Sequence, residues 1–127
     1  DIICFGIGSL WSSKDSQLQM ALLRHLETLA KIQGSVSAFD PVFTNIEKAA
    51  IKSYGYSVIT ENNVRVFRFS VQLGGIKRPT NRLTLFYMPH CEGFMYHNLL
   101  EANLVDDKWE HVAFIGNNLQ RYIDRYS

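Results

Sequence analysis

Pro89, His90 and Cys91 follow directly on the apolar run Leu83-Thr84-Leu85-Phe86-Tyr87-Met88, so an imidazole and a thiol stand where a buried strand ends. The carboxyl ends of parallel strands are where open α/β sheets build their ligand sites. Two chemistries suit this pair: a thiolate nucleophile with an imidazole base, or ligation of a metal or haem iron. Neighbouring side chains point in different directions, which counts against a dyad made of these two residues alone. One His and one Cys are too few for a zinc site, with His97 the only nearby helper, so contact to haem by His90 or Cys91 is the metal-linked reading that remains. A structural reading stands beside it, in which Cys91 packs as a small hydrophobe and His90 bonds the backbone of a tight turn.

Other residues of this kind sit at comparable places. Gly6 and Gly8, followed by Ser9, form a Gly-x-Gly turn after the first apolar run, which lets backbone approach a phosphate or a cofactor carboxylate. The third glycine of a dinucleotide fingerprint is missing, and Trp11 stands there. Asp40, after a second apolar run, is where nucleotide and S-adenosylmethionine folds place a carboxylate for ribose hydroxyls, although it lies farther from Gly8 than the usual ~20 residues. It can equally cap a helix begun by Pro41. Asn98 can orient a loop carbonyl or a ligand hydroxyl. Asn117 and Asn118 after Gly116 have the form of a turn in which asparagine tolerates left-handed backbone.

The elements that must position these residues alternate between strand and helix. Residues 2–5 read as a buried parallel strand. Residues 16–33 read as a helix whose apolar face carries Leu18, Leu22, Leu26, Leu29 and Ile32; Ser16 with Gln19, or Ser12 with Asp15, supplies a capping box, and Gly34 the stop. A second strand at 35–39 closes at Asp40-Pro41. A helix at 44–54 follows, with Thr44 and Glu47 as its capping box and Gly55 as its terminator, and then a third strand at 56–59. The alternation at 64–73 slips once at Phe67 and predicts an extra hairpin near residues 62–82. Residues 83–88 form the fourth core strand, 93–103 a helix bearing Phe94, Tyr96, Leu99 and Leu100, and 111–115 the fifth strand. A last helix begins at Leu119.

Uniformly apolar strands alternating with helices imply an α/β fold: a three-layer, doubly wound, Rossmann-like sandwich around a mostly parallel sheet of about five strands. Right-handed crossovers give the order 3-2-1-4-5, with the switch point between the first and fourth strands. The loops carrying Gly6, Gly8, Asp40, His90, Cys91 and Asn117 then share one edge.

Composition limits what that edge can serve. The chain has 127 residues, 46% of them hydrophobic, enough for one domain with its own core. Thirteen basic residues are scattered among twelve acidic ones for a net charge of +1, which argues against a nucleic-acid partner. Two cysteines in apolar settings point to a reducing compartment, cytoplasm or nucleus. No apolar run approaches the ~20 residues that span a bilayer, so no membrane partner is expected. Because Asp1 already opens a strand without a basic leader, the chain reads as a single domain, 1–127, excised from a longer protein.

Five ordered motifs extend this reading: Phe5-Gly6-Ile7-Gly8-Ser9, Phe39-Asp40-Pro41, Phe86-Tyr87-Met88-Pro89-His90-Cys91, Tyr96-His97-Asn98-Leu99-Leu100 and Ile115-Gly116-Asn117-Asn118. Together they resemble the SRR1-like domain family, over nearly the whole chain, with 61–82 matching less well. The resemblance implies a regulatory role: family members are linked to red-light and circadian signalling in plants, to haem biosynthesis and clock control in mammals, and to stress phenotypes in yeast. It implies no settled enzymatic reaction and no assigned cofactor. The leading expectation is therefore a signalling domain that binds a small ligand or a protein partner at the sheet edge. Gly6, Gly8, Ser9, Asp40, His90, Cys91, Asn98 and Asn117 are its candidate contacts. The alternatives are an S-adenosylmethionine- or nucleotide-dependent enzyme, with Asp40 on the ribose and His90 as acid/base, and a haem sensor.

Overall fold

The computed structural model describes residues 1–60, 80–104 and 109–126. In chain order they form β1 (Ile2–Phe5), α1 (Lys14–Leu29), β2 (Val36–Phe39), α2 (Asn45–Ser53), β3 (Ser57–Val58), β4 (Thr84–Met88), α3 (Gly93–Leu104), β5 (Val112–Gly116) and α4 (Gln120–Tyr126). The strands make one sheet in the order β3-β2-β1-β4-β5, and all neighbours run parallel. The expected doubly wound α/β topology is present, consistent with a Rossmann-like fold. The hairpin expected near 62–82 falls largely outside the described residues.

Each central strand feeds two cores because a parallel strand is apolar on both faces. Ile2, Cys4, Val36, Ala38 and Tyr87 face α1 and α2, where Met20, Leu23, Phe43 and Ile51 meet them. Phe5, Phe86 and Met88 face the other way, onto Cys91, Tyr96 and Leu99 beside α3. The register Phe5↔Phe39 and Cys4↔Tyr87 ends these strands level with one another, so the loops that follow emerge side by side.

Three local expectations are corrected. Helix α1 is capped by Ser13, whose side chain accepts from the Ser16 amide, so neither Ser16 nor Ser12 is the cap. It ends at Leu29, well before Gly34, because Lys31 itself takes left-handed backbone at φ 48 and closes the helix. The face that α1 buries is Ser16, Met20 and Leu23, while Leu18, Leu22 and Leu29 point to solvent. Two apolar stripes compete on this helix, and helical spacing alone does not choose between them. Helix α2 follows expectation: Thr44 and Glu47 form the capping box, and Gly55 follows the helix at φ 83.

Candidate functional site

Four loops meet at the carboxyl edge of the sheet, and hydrogen bonds stitch them together from β2 across to β5. Behind β1, Gly6 and Gly8 take left-handed backbone at φ 65 and φ 80, which glycine adopts without strain. Tight packing makes Gly6 doubly necessary, since a Cβ there would stand 2.9 Å from Cys91 Sγ. That turn carries the Gly8 amide toward β2, where it donates to Asp40 Oδ2 at 2.8 Å.

Asp40 is buried, and its second oxygen, Oδ1, accepts from the Val42 amide at 3.0 Å. Its carboxylate therefore ties loop to loop and closes a turn over Pro41; the helix beyond is capped by Thr44 rather than by Asp40. Glu47 completes this half. Its Oε1 accepts from Ser9 Oγ at 2.8 Å and the Trp11 amide at 3.1 Å, and its Oε2 accepts from the amide and hydroxyl of Thr44, both at 2.7 Å. Burial alone would raise the Glu47 pKa, but these bonds from Thr44, Ser9 and Trp11 outweigh it and hold the carboxyl at about 2. The Thr44-x-x-Glu47 spacing reveals the cap from sequence, but not that the same carboxylate reaches back to the glycine loop.

The other half is neutral. Cys91 is buried, and its thiol donates to the Phe5 carbonyl at 3.4 Å, which turns sulfur into the protein. Burial, then the negative charges of Asp40 and Glu92, push its pKa up to about 12. Burial and the bond to the Phe5 carbonyl thus disfavour the thiolate that a nucleophile needs at neutral pH. Tyr96 OH donates to the Met88 carbonyl at 2.5 Å and accepts from the Asn117 amide at 2.9 Å, joining the ends of β4 and β5. Asn117 Nδ2 donates to Tyr122 OH at 2.8 Å and to the Cys91 carbonyl at 3.4 Å. Tyr122 OH donates to that same carbonyl at 2.6 Å. Tyr96, read from sequence only as part of an apolar helix face and a family motif, and Tyr122 are positioning residues whose bonding role sequence reading missed, because nothing local marks a tyrosine as aimed at a loop carbonyl.

The fold thus brings Gly6, Gly8, Ser9, Asp40, Cys91 and Asn117 into one connected edge. His90 is at the same edge but exposed, one residue before the buried Cys91, so the two side chains diverge. Asn98 is half-buried on α3. Trp11, in the glycine loop, is 84% exposed, whereas Tyr96 is buried. Among the described residues no group of three or more His, Cys, Asp or Glu side chains could hold a metal ion. Among the same residues no helix is long and apolar enough to cross a membrane.

The motifs now placed along this edge have a match in known proteins: the model of the SRR1 domain fits residues 1–127. The chain belongs to the SRR1 family. It is 33% identical over 128 residues to Protein SENSITIVITY TO RED LIGHT REDUCED 1 of Arabidopsis thaliana, covering 99% of this chain and 42% of that protein. It is 30% identical over 124 residues to an SRR1-like protein of Mus musculus, covering 97% of this chain and 46% of the mouse protein. An SRR1-like protein of Drosophila melanogaster is 26% identical over 119 residues, covering 94% of this chain and 39% of the fly protein. The chain therefore spans less than half the length of these SRR1 relatives. No solved structure gives a significant match.

Proposed function

We propose that this chain is a signalling domain of the SRR1 family that works by binding a protein partner at the carboxyl edge of its sheet, without catalysing a reaction there. The observation that carries this reading is the pairing of Gly8 and Asp40: the amide that would hold a phosphate and the carboxylate that would hold a ribose are bonded to each other at 2.8 Å. A nucleotide or S-adenosylmethionine that used these two groups would have to break that bond. Leaving buried polar groups unpaired costs ~1–3 kcal/mol apiece, which such a ligand must recover before it gains affinity. Glu47, taken up by four donors, is likewise no free base.

Exposed at the rim, among others, are His90 and Trp11, an imidazole and an indole that suit a polar and aromatic protein contact. The red-light relative's name ties one family member to a light response, and a light-linked regulatory role is the corresponding proposal here. Buried free thiols at Cys4 and Cys91 suit a reducing compartment, cytoplasm or nucleus. Haem contact, if made, falls to His90 alone, since the Cys91 thiol faces the Phe5 carbonyl.

Affinity capture with the wild-type chain and with a His90→Ala, Trp11→Ala double variant tests this reading. Partners retained by wild type and lost by the variant support it; identical partner sets overturn it. Thermal-shift screening with S-adenosylmethionine, NAD, ATP and hemin runs in parallel. Stabilisation by any of the first three that disappears in Asp40→Asn restores the enzymatic reading, and a hemin Soret shift abolished by His90→Ala restores the haem reading.

A further inference from the structure

A cleft of about 400 Å³ lies between α1 and α2. Met20, Ala21 and Arg24 of α1 line it together with Ile46 and Ala50 of α2 and Tyr54 at the C-cap of α2. Positions 20, 21 and 24 share one face of a helix, and 46, 50 and 54 recur every four residues, so two helix faces supply the walls. Ala21 and Ala50 leave space that larger side chains would fill. Met20 is buried, whereas the loop residue Trp11, Ile46 and Tyr54 line the same cleft at 84%, 76% and 41% exposure. Large apolar side chains exposed around one concavity mark a binding site, and ~300–1,000 Å³ is the size of a small-molecule pocket.

The cleft has a polar end. A second cavity of about 340 Å³ adjoins it, sharing Ala21, Arg24 and Tyr54 and adding His25, Glu27 and Thr28. Arg24 therefore stands where apolar lining gives way to polar lining. Its guanidinium carbon lies 4.4 Å from the centroid of the Tyr54 ring, a cation–π contact that holds a long side chain at this border. Arg24 has no ion pair among the described residues. The two acidic lining residues are engaged elsewhere: both oxygens of Glu47 accept from Ser9, Trp11 and Thr44, and Glu27 Oε2 accepts from Tyr56 OH at 2.5 Å. A guanidinium without an ion pair keeps its fork of N–H donors for a carboxylate.

We propose that the cleft between α1 and α2 binds a small amphipathic carboxylic acid, whose apolar body lies among Trp11, Met20 and Ile46 and whose carboxylate pairs with Arg24. One guanidinium matches one negative charge, which favours a carboxylate over a doubly charged phosphate monoester. The inference goes beyond the sheet-edge reading, and of the two residues offered there for partner contact it shares Trp11 alone.

An NMR titration tests it, with 2-naphthoate as the probe and 2-naphthamide, neutral and of the same shape, as the control. We expect 2-naphthoate to bind with a Kd of about 1 mM or tighter. It should shift the Trp11 indole and the amides of Ala21, Arg24 and Ala50, and leave the amides of Cys91 and Asn117 in place. 2-Naphthamide should bind wild type about tenfold more weakly, and Arg24→Gln should bring the two probes level. Ala21→Leu, at an exposed helix position, fills the cleft without entering the core and should abolish binding of both. No shift at millimolar 2-naphthoate overturns the proposal, as do shifts centred on Cys91 and Asn117. Equal affinity of acid and amide for wild type overturns it too, and so does undiminished binding by Ala21→Leu. The titration contains no partner protein, so its failure leaves the sheet-edge reading standing, and failed partner capture leaves this one standing.

Discussion

The two halves of the sheet edge are held by different chemistry. Between β1 and β2 the ties are two carboxylates, Asp40 and Glu47, receiving backbone amides and hydroxyls. Between β4 and β5 they are two phenols and an amide, Tyr96, Tyr122 and Asn117, binding carbonyls. A carboxylate suits a loop of unpaired amides, as at helix starts and glycine turns; a hydroxyl suits a loop of unpaired carbonyls. The acidic half must therefore loosen in acid, and the phenolic half must not.

The largest effect should come from the phenolic half. Tyr96→Ala empties a buried aromatic site and frees the Met88 carbonyl and the Asn117 amide, and we expect a loss of ~4 kcal/mol in a urea denaturation series. Tyr96→Phe keeps the ring and isolates the hydroxyl; a loss near 1–2 kcal/mol is expected, against less than ~0.5 kcal/mol if the two bonds are idle.

Next comes Glu47→Gln, expected to cost ~2 kcal/mol at pH 7 because an amide group replaces one acceptor among four donors. Its pH dependence sharpens the contrast. The folded Glu47 carboxyl, at about 2, lies below the ordinary value of about 4.3. Its stabilisation is complete above the unfolded value and drains away as pH falls from about 5 toward 2. Wild type should lose stability across that window more steeply than Glu47→Gln, and parallel curves would contradict the assignment.

Asp40→Asn is expected to cost ~1 kcal/mol, since one carbonyl oxygen survives to accept one of the two amides. The smallest change in stability should be that of His90→Ala, within ~0.5 kcal/mol by thermal melt, while partner capture falls. A large stability loss there would make His90 a structural residue.

Much of this was legible in the residues. Apolar runs at Ile2, Val36 and Phe86, with glycine and proline stops, specify the strand order because crossover handedness leaves few topologies. Gly6, Gly8, Asp40, Cys91 and Asn117 could be assigned to one edge on that basis alone. What the sequence did not reveal is which groups answer one another. Asp40 bonds Gly8 across 32 positions, and Tyr96 bonds Asn117 across 21, and no local spacing encodes such distances. The phase of α1 was hidden for a different reason: Leu18, Leu22 and Leu29 mimic a core stripe, and only the position of Met20 and Leu23 over the sheet decides.

The Gly8 amide offers the most direct test of the central claim, that this edge is closed upon itself. Hydrogen exchange followed by NMR should show the Gly8 amide protected as well as a sheet amide. It should also show its resonance unmoved by millimolar S-adenosylmethionine, NAD or ATP. An amide that exchanges as a free loop would contradict the account, as would one that shifts on addition of any of the three.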